Sequence, residues 1–207
     1  MLKHLPPTPV ILETHGGLGE VFRRVYASHP AGVVFEVDAS KAETLCNQRP
    51  TWSVYQGKVE PALEAGIGGH VCVGLLDVDP YGEPWPTLDA FFRSSRPRAS
   101  VLGVAVNDGL RQKLRLKGGW HVGSMRQAVE KWGNGPLHDR YLEVCRWKLE
   151  QLAALQRYRV THWTGYYCGF GDDMTHYAAV LELKSPKSAS RKAIKKNGLR
   201  SKRTKVH

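Results

Sequence analysis

The sequence lacks the features that define several common classes of protein. No apolar run approaches the roughly twenty residues that span a bilayer, and the opening residues, Met1 to Pro7, do not have the pattern of a signal peptide. The four cysteines lie far apart without a Cys-x-x-Cys pair, and the nine histidines show no metal-binding spacing. We therefore expect a cytoplasmic protein that has no membrane association, no disulfide framework and no metal.

Acidic residues are absent from residues 184–207, which carry ten lysines and arginines. Residues 1–183 hold twenty basic and nineteen acidic residues, so almost all of the net charge of +11 comes from this last segment. Charge repulsion and low hydrophobicity predict a folded domain over 1–183 and a disordered basic tail over 184–207. Lys195 and Lys196 in this tail are candidates for phosphate contacts with a nucleic-acid partner. The alternative is a tail that only raises solubility.

Apolar runs alternate with helix-like segments along most of the chain, which predicts a mostly parallel sheet with helices on both faces. Only residues 168–174 separate the last two predicted strands, so these two strands must form an antiparallel hairpin. The predicted strands cover residues 10–13, 33–37, 52–55, 71–77, 99–106, 158–167 and 175–183. The predicted helices cover residues 19–28, 40–47, 58–66, 86–93 and 138–156.

A first candidate site follows the first two predicted strands. Glu13 ends the first strand, and Gly17 and Gly19 come just after it. Glycines at this point allow a tight turn and a close approach of the backbone to a nucleotide. Asp38 lies nineteen residues beyond Gly19, at the end of the second strand, where an acid reaches the ribose hydroxyls. Glu36 competes with Asp38 for that role, and an ordinary glycine turn is the alternative.

A second candidate site is the sequence Asp79-Pro80-Tyr81-Gly82, which follows the apolar strand predicted over 71–77. Proline fixes φ and has no backbone N–H, so the segment forms a rigid turn that carries an acid and an aromatic ring. Open α/β sheets bind their ligands at this end of the strands. An ordinary strand-ending turn with proline at its second position is the alternative.

In this order, the motifs resemble those of Rossmann-type S-adenosylmethionine-dependent methyltransferases. The segment 76–82, Leu-Asp-Val-Asp-Pro-Tyr-Gly, is similar to the corresponding motif of tRNA guanine-N2 dimethyltransferases. It resembles more distantly the Asp/Asn-Pro-Pro-Tyr/Phe motif of nucleic-acid methylases that act on exocyclic amines. The resemblance covers roughly residues 8–183. It implies an α/β fold with a seven-stranded, mostly parallel Rossmann-like methyltransferase sheet whose last strand is antiparallel.

The same resemblance implies methyl transfer from S-adenosylmethionine to the exocyclic amine of a base in RNA or DNA. Asp79 and the carbonyl of Pro80 would accept hydrogen bonds from the amine, and Tyr81 would stack on the base. The glycine turn and the acids of the first motif would bind the cofactor. Two alternatives stay open: a methyltransferase of a protein or small molecule, and a non-catalytic nucleic-acid-binding protein on this fold.

Residues 107–140 do not fit the alternation of strands and helices, and a loop of this length is usually functional or disordered. They interleave cations with aromatic residues: Arg111, Lys113, Arg115, Lys117, Trp120, His121, Arg126, Lys131 and Trp132. This composition predicts a lid or a nucleic-acid-binding loop, with an unpaired base stacked on Trp120 or Trp132. The alternative is that both tryptophans are buried and the cations are only solvated.

Overall fold

The computed structural model describes residues 2–112 and 123–185, and its centre is a single seven-stranded sheet. The strands lie in the order β3-β2-β1-β4-β5-β7-β6. Their bounds are β1 (Ile11–Glu13), β2 (Gly32–Glu36), β3 (Ser53–Gln56), β4 (Val73–Val78), β5 (Arg98–Asp108), β6 (Tyr158–Cys168) and β7 (Met174–Leu183).

Strands β1 to β5 pair in parallel, and β7 lies antiparallel to both β5 and β6. The predicted sheet and its reversed last strand are therefore confirmed, with strand ends that differ by one or two residues. The short turn after Cys168 forces the reversal, because a parallel connection needs a dozen or more residues. Because β1, β2, β4 and β5 run parallel, their carboxyl ends meet at one edge of the sheet.

The helices cover both faces of the sheet. Their bounds are α1 (Ala39–Gln48), α2 (Val59–Glu64), α3 (Trp85–Arg93), α4 (Arg126–Trp132) and α5 (Tyr141–Leu155). The first predicted helix, 19–28, is largely a π-helical segment over Phe22–Tyr26. Helix α4 lies inside the segment that we predicted as a loop; with seven residues it is too short to show a helical period clearly.

Two apolar clusters pack against the two faces of the sheet. Val34 and Leu75 belong to one cluster, and their neighbours along the strands, Phe35 and Leu76, belong to the other. Because both faces are covered, β4 is buried at all of its positions, and all of its residues except Asp77 are apolar. Within residues 2–112 and 123–185, no helix is both long enough and apolar enough to cross a bilayer.

A buried carboxylate, Asp108, joins the end of β5 to α5 and β7. It accepts hydrogen bonds from the hydroxyl of Tyr141 at 2.8 Å and that of Tyr177 at 3.4 Å. The backbone N–H of Leu110 also donates to it at 2.8 Å. Burial disfavours the charged form more than these hydrogen bonds favour it, and the pKa of Asp108 rises to about 7.

We predict that Asp108 makes folding stability depend on pH. Between about pH 4 and pH 7 the folded chain keeps a proton on Asp108 that the unfolded chain releases, so its contribution to the free energy of unfolding falls as pH rises through this window. The slope is at most about 1.4 kcal/mol per pH unit.

Urea unfolding of the wild type and of Asp108→Asn from pH 4 to pH 8 measures this slope. We expect the wild-type free energy of unfolding to fall more steeply between pH 4 and pH 7 than that of the variant. Any constant offset between the two curves reports hydrogen bonds lost in the variant. Parallel curves over the whole range contradict the prediction.

Candidate functional site

A cleft of about 770 Å³ opens at the carboxyl edge of the sheet. It brings together residues from both predicted sites: Gly17 after β1, Glu36 at the end of β2, and Asp79, Pro80 and Tyr81 after β4. These positions are distant in sequence and meet because parallel strands present their carboxyl ends at the same edge. The volume lies within the range of pockets that bind small molecules and cofactors.

The carboxylate of Glu36 organises the floor of this cleft. Its Oε2 accepts a hydrogen bond from the backbone N–H of Gly17 at 2.8 Å, which links the turn after β1 to the end of β2. Its Oε1 accepts from the backbone N–H groups of Val37 at 2.8 Å and Asp38 at 3.0 Å. One side chain therefore fixes the relative position of two loops.

Asp38 does not line the cleft, because its side chain caps α1. Its Oδ1 accepts from the backbone N–H of Lys41 at 3.0 Å and from the hydroxyl of Ser40 at 2.7 Å. These hydrogen bonds lower the pKa of Asp38, with the bond from Ser40 having the largest effect. An acid at this position is a common helix cap, and the sequence alone does not separate that role from ribose binding.

The two predicted glycines have different surroundings. Gly17 has a φ of +52°, and no atom of the described chain lies within 4 Å of the place where a Cβ would stand. Gly19 has a φ of +77°, but a Cβ there would collide with the side-chain amide of Gln48 on α1. Gly17 thus leaves open space in the cleft, whereas Gly19 lets the following helix pack closely against α1.

Glu13 lies behind the glycine turn, buried, and does not line the cleft. Its Oε2 accepts from Nη1 of Arg49 at 2.5 Å, and the Arg49 guanidinium lies over the rings of Phe22 and Trp52, 4.4 and 5.0 Å from their centroids. Burial raises the pKa of Glu13 to about 7, although Arg49 acts in the opposite direction. The pair supports the turn from below.

Asp79 stands at the rim of the cleft and is held by a residue of β5. Nδ2 of Asn107 donates to Oδ1 of Asp79 at 2.6 Å, which leaves the second carboxylate oxygen for other partners. The carbonyl of Pro80 accepts from the backbone N–H of Gly82 at 2.8 Å, and the side chain of Tyr81 is fully exposed. Asp77, two residues earlier in the chain, accepts a hydrogen bond from the hydroxyl of Tyr26 at 2.6 Å.

Of the six residues proposed as the nucleic-acid-binding set, the structure describes one, Arg111. Arg111 is buried; its guanidinium bonds to the backbone carbonyls of His138 and Asp172 and lies 4.2 Å from the ring centroid of Tyr167. These contacts occupy the guanidinium in packing. Trp132 is half-buried, and its ring packs edge-on against that of Trp147, which is the alternative that we gave for it. Five predicted residues lie outside the described part of the chain: Lys113, Arg115, Trp120, Lys195 and Lys196.

His15 and Asn107 are among the residues that line the cleft and that sequence reasoning missed. His15 sits in the glycine turn beside the hydroxyl of Thr14, and burial lowers its pKa. Asn107 directly follows the strand predicted over 99–106 and belongs to no motif, so only its hydrogen bond to Asp79 reveals its position. Across residues 2–112 and 123–185, no cluster of three or more His, Cys, Asp or Glu side chains could hold a metal ion.

The strand order, the reversed β7 and the cleft at the carboxyl edge define a Rossmann-like methyltransferase fold. TYW2 of M. jannaschii, solved in complex with AdoMet, is similar over 86% of this chain and 70% of its own, with 10% identity and a TM-score of 0.54. The N-methyltransferase NodS of Bradyrhizobium japonicum WM9 is similar over 88% and 92%, with 11% identity and a TM-score of 0.52.

The plantazolicin methyltransferase BamL, solved with a triazolic desmethylPZN analog and SAH, is also similar in structure. The likeness covers 85% of this chain and 77% of BamL, with 9% identity and a TM-score of 0.52. No protein-family model matches the chain, and no curated protein sequence matches it. At identities near 10%, these likenesses establish the fold.

We predict that Arg49 is required for stability because it is the charge partner of Glu13. Arg49→Met leaves a buried carboxylate without a cation and should lower the free energy of unfolding by about 3–5 kcal/mol. Arg93→Met is the matched control, since Arg93 pairs with Asp89 on the surface, where an ion pair contributes at most about 1 kcal/mol.

Urea unfolding at neutral pH measures both changes. The double variant Glu13→Gln/Arg49→Met removes the stranded charge and should recover part of the loss. An Arg49→Met protein that is no less stable than Arg93→Met would show that the buried pair does not support the turn.

Proposed function

We propose that this chain is an S-adenosylmethionine-dependent methyltransferase that acts on the exocyclic amine of a base in nucleic acid. The observation that supports this most strongly is the meeting of Gly17, Glu36 and the Asp79-Pro80-Tyr81 turn in one cleft. A nucleotide-binding turn and an amine-binding acid then face the same space.

The residues of the cleft fit the cofactor. Gly17 offers a backbone surface with no side chain in the way, as a closely approaching ligand requires. Glu36 lies at the end of β2 and lines the cleft, and its Oε2, which accepts one hydrogen bond, keeps a second lone pair for a ligand. In this proposal Glu36 binds the ribose hydroxyls, while Asp38 caps α1 and Glu13 supports the turn.

Asp79 is the proposed catalytic residue. When bound, S-adenosylmethionine supplies an electrophilic methyl group. The acceptor nitrogen is a poor nucleophile because its lone pair is delocalised into the ring. The free oxygen of Asp79 would accept an N–H of the amine and stabilise the positive charge that develops on nitrogen. The Pro80 carbonyl has one lone pair left for the second N–H, and holding the amine in line accounts for further acceleration.

Nucleic acid as the substrate is supported by the charge of the chain and by the turn itself. Ten cations without an acid in residues 184–207 provide salt-dependent attraction to phosphates. An acid followed by proline and an aromatic residue matches the motif of enzymes that methylate base amines. Arg111 is left out of this proposed surface, because its guanidinium is buried against backbone carbonyls.

We predict that Gly17→Ala weakens cofactor binding because its new Cβ enters the open space of the cleft. The affinity for S-adenosylhomocysteine, measured by calorimetry, should fall by about 10-fold or more, since a displaced ligand loses about 1.4 kcal/mol or more. Gly66→Ala is the matched control: Gly66 also has a positive φ, +77°, and open space around its Cβ position, but it does not line the cleft.

Both alanine variants carry a similar backbone strain and should lose similar stability, of order 1 kcal/mol. Gly66→Ala should bind S-adenosylhomocysteine as the wild type does. Equal affinities of the wild type and a folded Gly17→Ala protein would remove Gly17 from the cofactor site.

We predict methyl transfer to nucleic acid that depends on Asp79. Radioactive S-adenosylmethionine is incubated with total RNA, genomic DNA and total protein in parallel, and nucleoside analysis identifies the methylated base. Asp79→Ala should lower turnover by about 100-fold or more and leave cofactor affinity within a few-fold, as expected for an interaction made mainly in the transition state.

Asp89→Ala provides a control for the loss of an acid, because Asp89 is an exposed residue of α3 bound to Arg93. If the label appears in protein alone, the substrate is a protein and the proposed nucleic-acid substrate is wrong. No label in any fraction, together with normal cofactor binding, would favour a non-catalytic role.

A further inference from the structure

A second, smaller cavity of about 400 Å³ adjoins the cleft on the other side of Asp79. The two spaces share Asp79 and Asn107 and otherwise have different walls. Most walls of the second cavity belong to β5, β6 and β7; Val21 and Asp77 complete them, and Gly17 and Glu36 do not line it. A group bound there would reach Asp79 from the side opposite the proposed cofactor.

The register of the sheet explains how this cavity forms. Asn107 of β5 pairs with His176 of β7, and His176 pairs with Tyr166 of β6. Since Asn107 also bonds to Asp79, these four side chains form one row across the carboxyl edge. Two residues nearer the sheet centre, a parallel row contains Ala105 and Ala178.

The two rows have complementary shapes. Ala105 and Ala178 are small and leave a hollow, while the rings of His176 and Tyr166 stack with centroids 5.4 Å apart and planes at 10°. Strands β4 and β7 are separated only by β5, so His176 stands about 10 Å from Asp79. Asn107 leans toward Asp79, because its amide bonds to that carboxylate, and His176 lines the cavity beside it.

We propose that this cavity is the acceptor site, and that it takes a planar heterocycle carrying an exocyclic amine. This inference deepens the proposed function and depends on it for the reaction. A ring stacked on His176 fills about 3.5 Å of the gap, and its amine then points toward the free oxygen of Asp79. The stacked Tyr166 holds the imidazole ring in this orientation.

This placement assigns base stacking to His176 and not to Tyr81. Tyr81 is fully exposed, and it lines only the first cleft. It also makes Asn107 a positioning residue, since its amide orients the carboxylate that both spaces share. A purine or cytosine ring brings both features that the walls require, a flat face and an amine, whereas uracil has no exocyclic amine.

The test measures nucleoside binding to the full chain, separately from catalysis. Guanosine, adenosine, cytidine and uridine are titrated by NMR in the presence of saturating S-adenosylhomocysteine, which keeps adenosine out of the first cleft. We expect at least one amine-bearing nucleoside to bind and uridine to bind more weakly. His176→Ala should weaken that binding roughly 5- to 100-fold, and His176→Phe should restore it, because loss of one stacking contact has an effect of this size.

Two further variants separate the cavity from its surroundings. Ala105→Leu fills the hollow and should abolish nucleoside binding while S-adenosylhomocysteine still binds normally. His162→Ala, which removes an exposed imidazole on β6 that does not line the cavity, should leave nucleoside binding unchanged.

The outcomes that overturn the inference are distinct from a failure of the proposed function. Unchanged nucleoside binding in His176→Ala and Ala105→Leu, or loss of binding only in Tyr81→Ala, removes the acceptor from this cavity. If S-adenosylhomocysteine binds but no amine-bearing nucleoside does, the cavity is not the acceptor site, and the proposed cofactor site is unaffected. If S-adenosylhomocysteine does not bind, the cofactor proposal fails, and nucleoside titrations without it still test the cavity.

Discussion

The buried ion pair between Glu13 and Arg49 is the constraint on which the cleft depends. Arg49 follows α1, Glu13 ends β1, and neither charge has access to water. A carboxylate at that depth requires a cation, and the rings of Phe22 and Trp52 provide the guanidinium with faces that substitute for solvent. The helix after β2 is therefore fixed to the strand that begins the glycine turn.

The same turn is fixed from its other side by hydrogen bonds to the backbone. The N–H of Gly16 donates to the carbonyl of Phe35, the N–H of Gly17 donates to Glu36, and Thr14 bonds through both its N–H and its hydroxyl to the carbonyl of Asp77. Neighbouring strands on both sides of β1 thus position one short loop. A site formed in this way is preorganised, which favours the binding of a rigid ligand portion such as a nucleoside.

The strands and their directions could be predicted from the sequence, because apolar runs and short connections are local features of the chain. Fully buried parallel strands such as β4 are mostly apolar, and the few residues between β6 and β7 permit only a hairpin. The cleft was predicted in part for a related reason: Gly17 and Glu36 follow strands, and strand ends converge. Only the structure shows that Glu36 lines the cleft and that Asp38 caps α1, because a carboxylate that caps a helix and one that faces a cleft have the same sequence pattern.

Residues that act through pairing between distant strands left no signal in the sequence. Asn107, His176 and Tyr166 belong to ordinary strands, and their common row exists only through the registers of β5, β6 and β7. Arg111 shows the opposite case, a cation in a basic stretch whose charge is used inside the fold. Local composition predicts how much charge a segment carries, but not which way each side chain faces.

The position of β4 in the sheet divides the chain into two parts with separate evolutionary freedom. The residues proposed to hold the cofactor lie before it in sequence, within residues 13–36. Most walls of the second cavity lie after it, within residues 105–178, and Val21 and Asp77 complete them. Asp79 and Asn107 line both spaces. Substitutions in the later strands can therefore reshape the second cavity while the glycine turn stays intact. If the proposed function holds, a change of acceptor requires substitutions in β5 to β7 and none in the turn.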